Sequence, residues 1–265
     1  MMWKELIYIS LLSILITYVE ITFFPKAYYL KNLTTVYSLL GFVISLLLVF
    51  RTNTAYDRWW EGRKAWGGIV NDTRSLSSKL SALEISPEER KNFNDLLGLY
   101  VFSVKNHLRS QRVEQDADCK KDHSGLDLSG HQPLRIQQIL RAEIQKLYDN
   151  KTMSAECWLA VQRDLDALVA SLGICERIKN TPIPFSYSLF IKKFIFIYVL
   201  TMPLAFVPLF GYLSAFISTF VFYALVSMEL LAEEIEDPFG SDENDLPTDQ
   251  ICLTIQNDCK QIFGV

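Results

Sequence analysis

The sequence predicts an all-α protein with four transmembrane helices. Two observations carry that expectation. Charge-free apolar stretches of bilayer length stand near both ends of the chain, and the polar middle repeats its apolar residues at steps of three and four, with no alternating strand pattern. Half the 265 residues are apolar, close to the globular average, so distribution rather than composition announces the membrane.

The first span covers about Leu6 to Phe24, interrupted only by Glu20. Glu20 lies near the end of the span, where an acid can snorkel to the interface, and it receives no role. The stretch is too long for a signal-peptide core, and no A-x-A site follows it, so it is expected to remain on the protein. The second span, Leu33 to Phe50, has no charged residue and breaks into Arg51-Thr52-Asn53-Thr54-Ala55-Tyr56-Asp57-Arg58-Trp59-Trp60. Arginines and tryptophans are the groups that anchor a span at the cytoplasmic surface. The third span, about Phe194 to Phe210, and the fourth, about Leu213 to Met228, are joined by Gly211-Tyr212 alone and must form a tight hairpin. Each span reaches or approaches the roughly twenty residues that cross about 30 Å of hydrocarbon.

Between the two pairs, Ile69, Thr73, Leu76, Leu80 and Leu83 continue the second helix beyond its span. Ser86-Pro87-Glu88-Glu89 reads as a capping box with proline at the first helical position. The helix it starts turns Phe93, Leu96, Leu97, Tyr100, Val101, Val104 and Leu108 inward. Residues 111–131 read as a polar loop. A helix follows near Ile136 to Leu147, another from Ser154 to Gly173, and a last one from Pro247-Thr248 with Ile251, Ile255, Cys259 and Ile262 on one side. The organisation is transmembrane helices over 1–50, a cytosolic helical region over 51–188, transmembrane helices over 189–231, and an acidic segment with a C-terminal cytosolic helix over 232–265.

Orientation follows the basic residues. Arg51, Arg58, Arg63 and Lys64 follow the second span and Lys179, Lys192 and Lys193 precede the third, whereas the first hairpin has only Lys26 and Lys31 and the second has none. The positive-inside rule places both termini and the middle region in the cytoplasm.

Several function classes are disfavoured. A net charge of −4, without a basic face, gives no reason to expect nucleic acid. Five scattered cysteines, without a C-x-x-C pair, argue against a disulfide framework or closed zinc site. Cys119, His123 and His131 share the loop with Asp116, Asp118 and Asp122, at a spacing that matches no tetrahedral metal pattern and favours a solvated loop. No nucleophile elbow, P-loop, dinucleotide fingerprint or H-E-x-x-H motif is present, so the protein is not expected to be an enzyme.

The candidate functional residues lie on the second span. Phe42, Leu46 and Phe50 recur at i, i+4, i+8 and share one stripe. If several subunits turn that stripe toward a common axis, it encloses a hydrophobic constriction; otherwise it packs against helices of its own subunit.

Several segments resemble the bestrophin family of pentameric ion channels, in its bacterial and plant-like branch. They are Ser38-Leu39-Leu40-Gly41 leading into Phe50-Arg51-Thr52-Asn53 and Tyr56-Asp57-Arg58; Ala65-Trp66-Gly67; Gly173-Ile174-Cys175-Glu176-Arg177; Thr181-Pro182-Ile183-Pro184-Phe185; and Ala232-Glu233-Glu234-Ile235-Glu236-Asp237-Pro238-Phe239-Gly240. They occur in the family's order. The resemblance implies a homopentamer in a bacterial inner membrane, with self and membrane lipid as partners and monovalent ions as cargo. It makes Phe42, Leu46 and Phe50 the rings of an apolar neck, which gates by dewetting and does little to choose the ion's sign.

It also places a cytosolic aperture at about Glu156, where the family usually has a small apolar residue. A ring of carboxylates there would favour cations, sodium among them, over chloride. Equally, an acid in the first turn after an N-cap such as Ser154 is favoured by the helix dipole alone. Animal members hold calcium after Pro-Phe-Gly, and Asp242 and Asp245 stand in that stretch here. Ser241 and Asn244 replace further acids of that version, which leaves calcium in doubt as a cofactor and favours solvated charge or pairing with Arg51, Arg58 and Arg63. The expected function is a passive channel leaning to cations. A chloride channel of the same family is the alternative, and a non-conducting membrane scaffold or sensor is the second alternative.

Overall fold

A computed structural model of the chain describes residues 2–24, 33–113 and 128–265. Among these there are eight helices and no strand: α1 (Met2–Phe23), α2 (Leu33–Ser81), α3 (Pro87–Leu108), α4 (Gln132–Asp149), α5 (Ala155–Asn180), α6 (Phe185–Phe210), α7 (Leu213–Glu236) and α8 (Thr248–Phe263). Four of them, α1, α2, α6 and α7, are long and apolar enough to cross a membrane. The chain forms two compact units, one of Met1–Asp57 with Pro182–Glu236, the other of Arg58–Thr181 with Asp237–Val265.

In the first unit, α1 packs on α6 and α7, and α6 on α7. Tyr37, Ile44 and Leu48 of α2 join Ile9 and the α6 residues Ile191, Ile195, Tyr198, Val199 and Met202 in one core. A methyl group at Gly41 would meet Tyr198 Oη at 2.8 Å, so α2 and α6 approach closely there and any larger side chain would have to displace the tyrosine hydroxyl. Tyr37 Oη donates to Thr201 Oγ1 at 2.5 Å, and Tyr198 Oη donates to the Tyr37 carbonyl at 3.2 Å. Pro203 and Pro208 both lie inside α6. The Thr34 hydroxyl donates to the Ala205 carbonyl, next to the Leu204 carbonyl that Pro208 leaves without its helical donor.

Glu20 does not snorkel. Its side chain sits on the same face of α1 as the buried Ile9, Ser13 and Thr17, and it is only 5% exposed.

In the second unit, α3 is enclosed by α4, α5 and α8. Ile69, Thr73, Leu76 and Leu80 of α2 are buried as their spacing predicted. The capping box is present: Ser86 Oγ accepts from the Glu89 amide, and the Ser86 amide donates to the Glu89 carboxylate. Two expectations are corrected. Helix α5 does not close at Gly173 but runs to Asn180, because Leu172, Cys175 and Ile178 continue its buried stripe and outweigh one helical glycine. In α8 the buried face is Thr248, Cys252, Ile255, Cys259 and Phe263, and Ile251 and Ile262 flank it. The helix ends on Gly264, whose φ of 72° suits a left-handed cap.

Candidate functional site

The face of α2 that carries Phe42, Leu46 and Phe50 is not packed within the subunit. Their exposures are 66, 43 and 56%, whereas Ile44, Leu48 and Arg51 on the opposite face are 2, 3 and 1% exposed. Leu39 and Val49 extend the uncovered surface. A row of large apolar side chains pointed away from its own core must meet lipid, another subunit or a water-filled lumen.

Arg51 fixes the end of this stripe. Its guanidinium is buried and pairs with Glu236 Oε2 at 2.6 Å, while Glu236 Oε1 accepts the Ile183 amide at 2.7 Å. Nε and Nη1 of Arg51 are buried without a hydrogen-bond partner. A desolvated arginine resting on one carboxylate ties the α2 turn after Phe50 to the end of α7 and the start of α6. Solvated charge, or pairing with Arg51, Arg58 and Arg63, is the expectation for the acidic run in place of calcium, and of these pairs Arg51–Glu236 is formed. Arg58, by contrast, donates to the Ile178 and Thr181 carbonyls at 2.6 and 2.5 Å. There it satisfies the C-terminal carbonyls of α5, where a cation also complements the helix dipole.

Glu156 lies fully exposed in the first turn of α5, after the N-cap Ser154. A hydrogen bond from its own amide, and then one from the Ser154 side chain, lower its pKa, so it is ionised at neutral pH. The dipole explains that placement, and the full exposure leaves the carboxylate available to ions.

The loop after Pro238 does not fit calcium. Asp245 Oδ2 accepts the Asp242 amide at 2.7 Å, which makes it the closure of a tight turn. The Asp242 side chain is exposed, and the Phe239 and Gly240 carbonyls accept from Arg109 Nε at 3.4 and 3.0 Å. A guanidinium thus stands where cation-binding carbonyls would be needed, and two carboxylates fall well short of the six to eight oxygens calcium takes. Burial also raises the pKa of Asp245, which opposes charge there. Of the loop residues read against metal spacing, 114–127, and Cys119, His123, Asp116, Asp118 and Asp122 with them, lie outside the described residues, as do Lys26 and Lys31.

The Tyr198–Gly41 contact and the Glu236 fork were not visible in the sequence. Gly41 and Tyr198 are 157 positions apart, and Glu236 lies 185 from Arg51 and 53 from Ile183, so neither contact leaves a local pattern.

These features define a helical integral membrane protein whose α2 carries an uncovered apolar face. The chain belongs to the bestrophin family: the model of the bacterial and fungal bestrophin proteins matches residues 1–261. It is 40% identical over 229 residues to a voltage-dependent anion channel-forming protein of Synechocystis, covering 83% of this chain and 75% of that one. It is 33% identical over 229 residues to the voltage-dependent anion channel-forming protein YneE of Escherichia coli K12, covering 85% and 75%. A solved bacterial bestrophin homologue from Klebsiella pneumoniae superposes with a TM-score of 0.89 at 28% identity, over 100% of this chain and 99% of that chain. Family and relatives together make this protein an ion channel and not an enzyme.

Proposed function

We propose that five copies of the chain assemble around a central pore, with Phe42, Leu46 and Phe50 as successive apolar rings of its neck and both termini in the cytoplasm. The observation that carries this reading is the uncovered α2 face, which removes the alternative of packing within the subunit. Rings of this chemistry gate by dewetting. Replacing them by alanine is expected to raise unitary conductance in planar bilayers while leaving assembly intact. Well-folded pentamers that never pass current would leave the scaffold or sensor reading in its place.

For the ion's sign, the reading leans to monovalent cations, sodium first. It rests on the exposed, ionised Glu156 carboxylate, placed near the cytosolic aperture that the family resemblance implies. The names of the Synechocystis and Escherichia coli relatives favour the second reading, an anion channel. Reversal potentials in asymmetric sodium chloride decide between them. The cation reading expects a sodium preference that Glu156→Ala diminishes. A chloride preference, or a potential unmoved by the substitution, removes Glu156 from selectivity. The acidic run that follows the fourth span acts in this scheme through ion pairs, such as Arg51–Glu236, and through solvated charge.

A further inference from the structure

His131, Glu176 and His107 come from three different helices of the second unit and converge on one point. His107 Nε2 lies 2.8 Å and His131 Nε2 2.6 Å from the same Glu176 oxygen, Oε1. The imidazole rings stand 4.3 Å apart between centroids. The nearest ligand atoms of the three side chains all lie within 4.8 Å of one another, and among the described residues no other group of three or more potential ligands forms such a cluster. The geometry points to a divalent-cation site, with zinc as the ion that its donors suit. Neither the neck nor the ion's sign enters this inference.

The donor chemistry is two imidazole nitrogens and one carboxylate oxygen, the set that holds zinc with a fourth position open to water. The side chains are 35, 33 and 29% exposed, so solvent reaches that fourth position. Zinc bonds of 2.0–2.1 Å in a tetrahedron separate ligand atoms by about 3.3 Å. Each nitrogen therefore withdraws from Oε1 by under about 1 Å, and the two nitrogens, within 4.8 Å of each other, close toward that spacing through side-chain torsions.

The positions are held by packed helices. His107 is in the last turn of α3, between the buried Asn106 and Leu108; His131 is the N-cap of α4; Glu176 follows the buried Cys175 on α5. Arg177, the cation next to Glu176 in sequence, is engaged elsewhere with Glu61.

One contact opposes binding. His131 Nδ1 accepts the Leu134 amide at 3.4 Å, so the proton of the neutral ring lies on Nε2 and is donated to Glu176. Coordination through Nε2 moves that proton to Nδ1 and breaks the capping bond. The bond is already long, and three coordinate bonds replace it. Bound metal would then tether α3, α4 and α5, and α5 is the helix whose first turn carries Glu156.

The test uses the purified full chain in detergent, stripped with chelator and titrated with zinc chloride by calorimetry, with metal content measured after dialysis. One zinc per chain and a raised melting temperature are expected. His107→Ala is expected to weaken binding by more than the roughly 10–100-fold that outer-shell changes cost. Because removing a buried-edge imidazole can disturb folding, Glu176→Gln and His131→Asn serve as companions. The first keeps a hydrogen-bonding amide, and the second keeps an N-cap acceptor. Both should fold and lose the zinc response. Cobalt replacing zinc should give the visible bands of a tetrahedral centre, absent in all three variants. No stoichiometric zinc in the unaltered protein, or zinc binding that survives these substitutions, overturns the site.

Discussion

The two units solve opposite problems with the same element, the α-helix. In the second unit the apolar residues are inside: Leu97, Tyr100, Val101, Phe102, Leu140, Val161, Leu165 and Leu168 are all fully buried. In the first, large apolar residues such as Trp3, Leu11, Leu39, Phe42, Phe190, Phe216 and Phe220 cover the outside, while Ser13, Thr17, Arg51, Ser214, Ser218 and Glu229 are buried. Water drives the first arrangement. Lipid cannot, because its tails are as apolar as leucine, and helices in it associate through packing and polar contacts instead. The first unit accordingly spends its polar groups between helices and leaves its apolar ones for the bilayer or a partner.

The sharpest way to break the comparison is to attack a polar contact in the apolar unit. Arg51→Ala leaves Glu236 without its buried cation, and removing one partner of such a pair costs about 3–5 kcal/mol. Unfolding in detergent should show a loss of that size. A near-neutral result would mean that Arg51 reaches solvent.

The next test sets one leucine of each unit against the other. Leu97→Ala in α3 removes a fully buried side chain and should cost about 2–5 kcal/mol. Leu39→Ala, on the uncovered α2 face, should change the stability of the isolated subunit by less than about 0.5 kcal/mol. Chemical denaturation of both variants measures the contrast. Equal losses would show that the α2 face is packed after all.

What the sequence made legible follows the same division. Periodicity and length found all four spans, the continuation of α2 and the capping box at Ser86, because each is a local pattern. The stripe at Phe42, Leu46 and Phe50 is visible as a face, but its uncovered state depends on where α6 lies, which the packing of Tyr37, Ile44 and Leu48 against α6 shows. In sequence the histidine His131 neighbours Cys119 and His123, whereas Glu176 and His107, the groups it meets in the fold, are remote. Gly173 looks locally like the stop of α5, but a glycine in open space merely weakens a helix that tertiary burial sustains.

Acid should affect the second unit through the junction of α3 with α8. Asp249 accepts from Arg109 at 2.8 Å and from Lys105 at 2.7 Å, and these bonds, Arg109's first, hold its pKa down to about 2. An unfolded aspartate titrates near 3.9. The folded value is the lower one, so this contribution is complete above about pH 4 and is lost as the pH falls through about 2. Asp249→Asn should flatten the stability profile in that window. Asp245, whose pKa burial raises, contributes the opposite slope and should be left in place as the internal reference.

A small loss is expected at the polar seam between α1 and α7. Ser214 Oγ donates to the Gly211 carbonyl at 2.7 Å, so its single proton is committed there. The 3.2 Å contact between Thr17 Oγ1 and Ser214 Oγ therefore has Thr17 as its donor. Thr17→Val keeps the branched shape, removes that one donor and leaves the Ser214–Gly211 bond intact. Interhelical hydrogen bonds in membranes average about 0.6 kcal/mol, since the separated helices find other partners. A loss near that figure in detergent unfolding supports a seam made of independent weak contacts. A loss several times larger would mean that Ser13, Thr17, Ser214 and Ser218 act as one network, and the inside-out unit would then owe its cohesion to polar groups more than to packing.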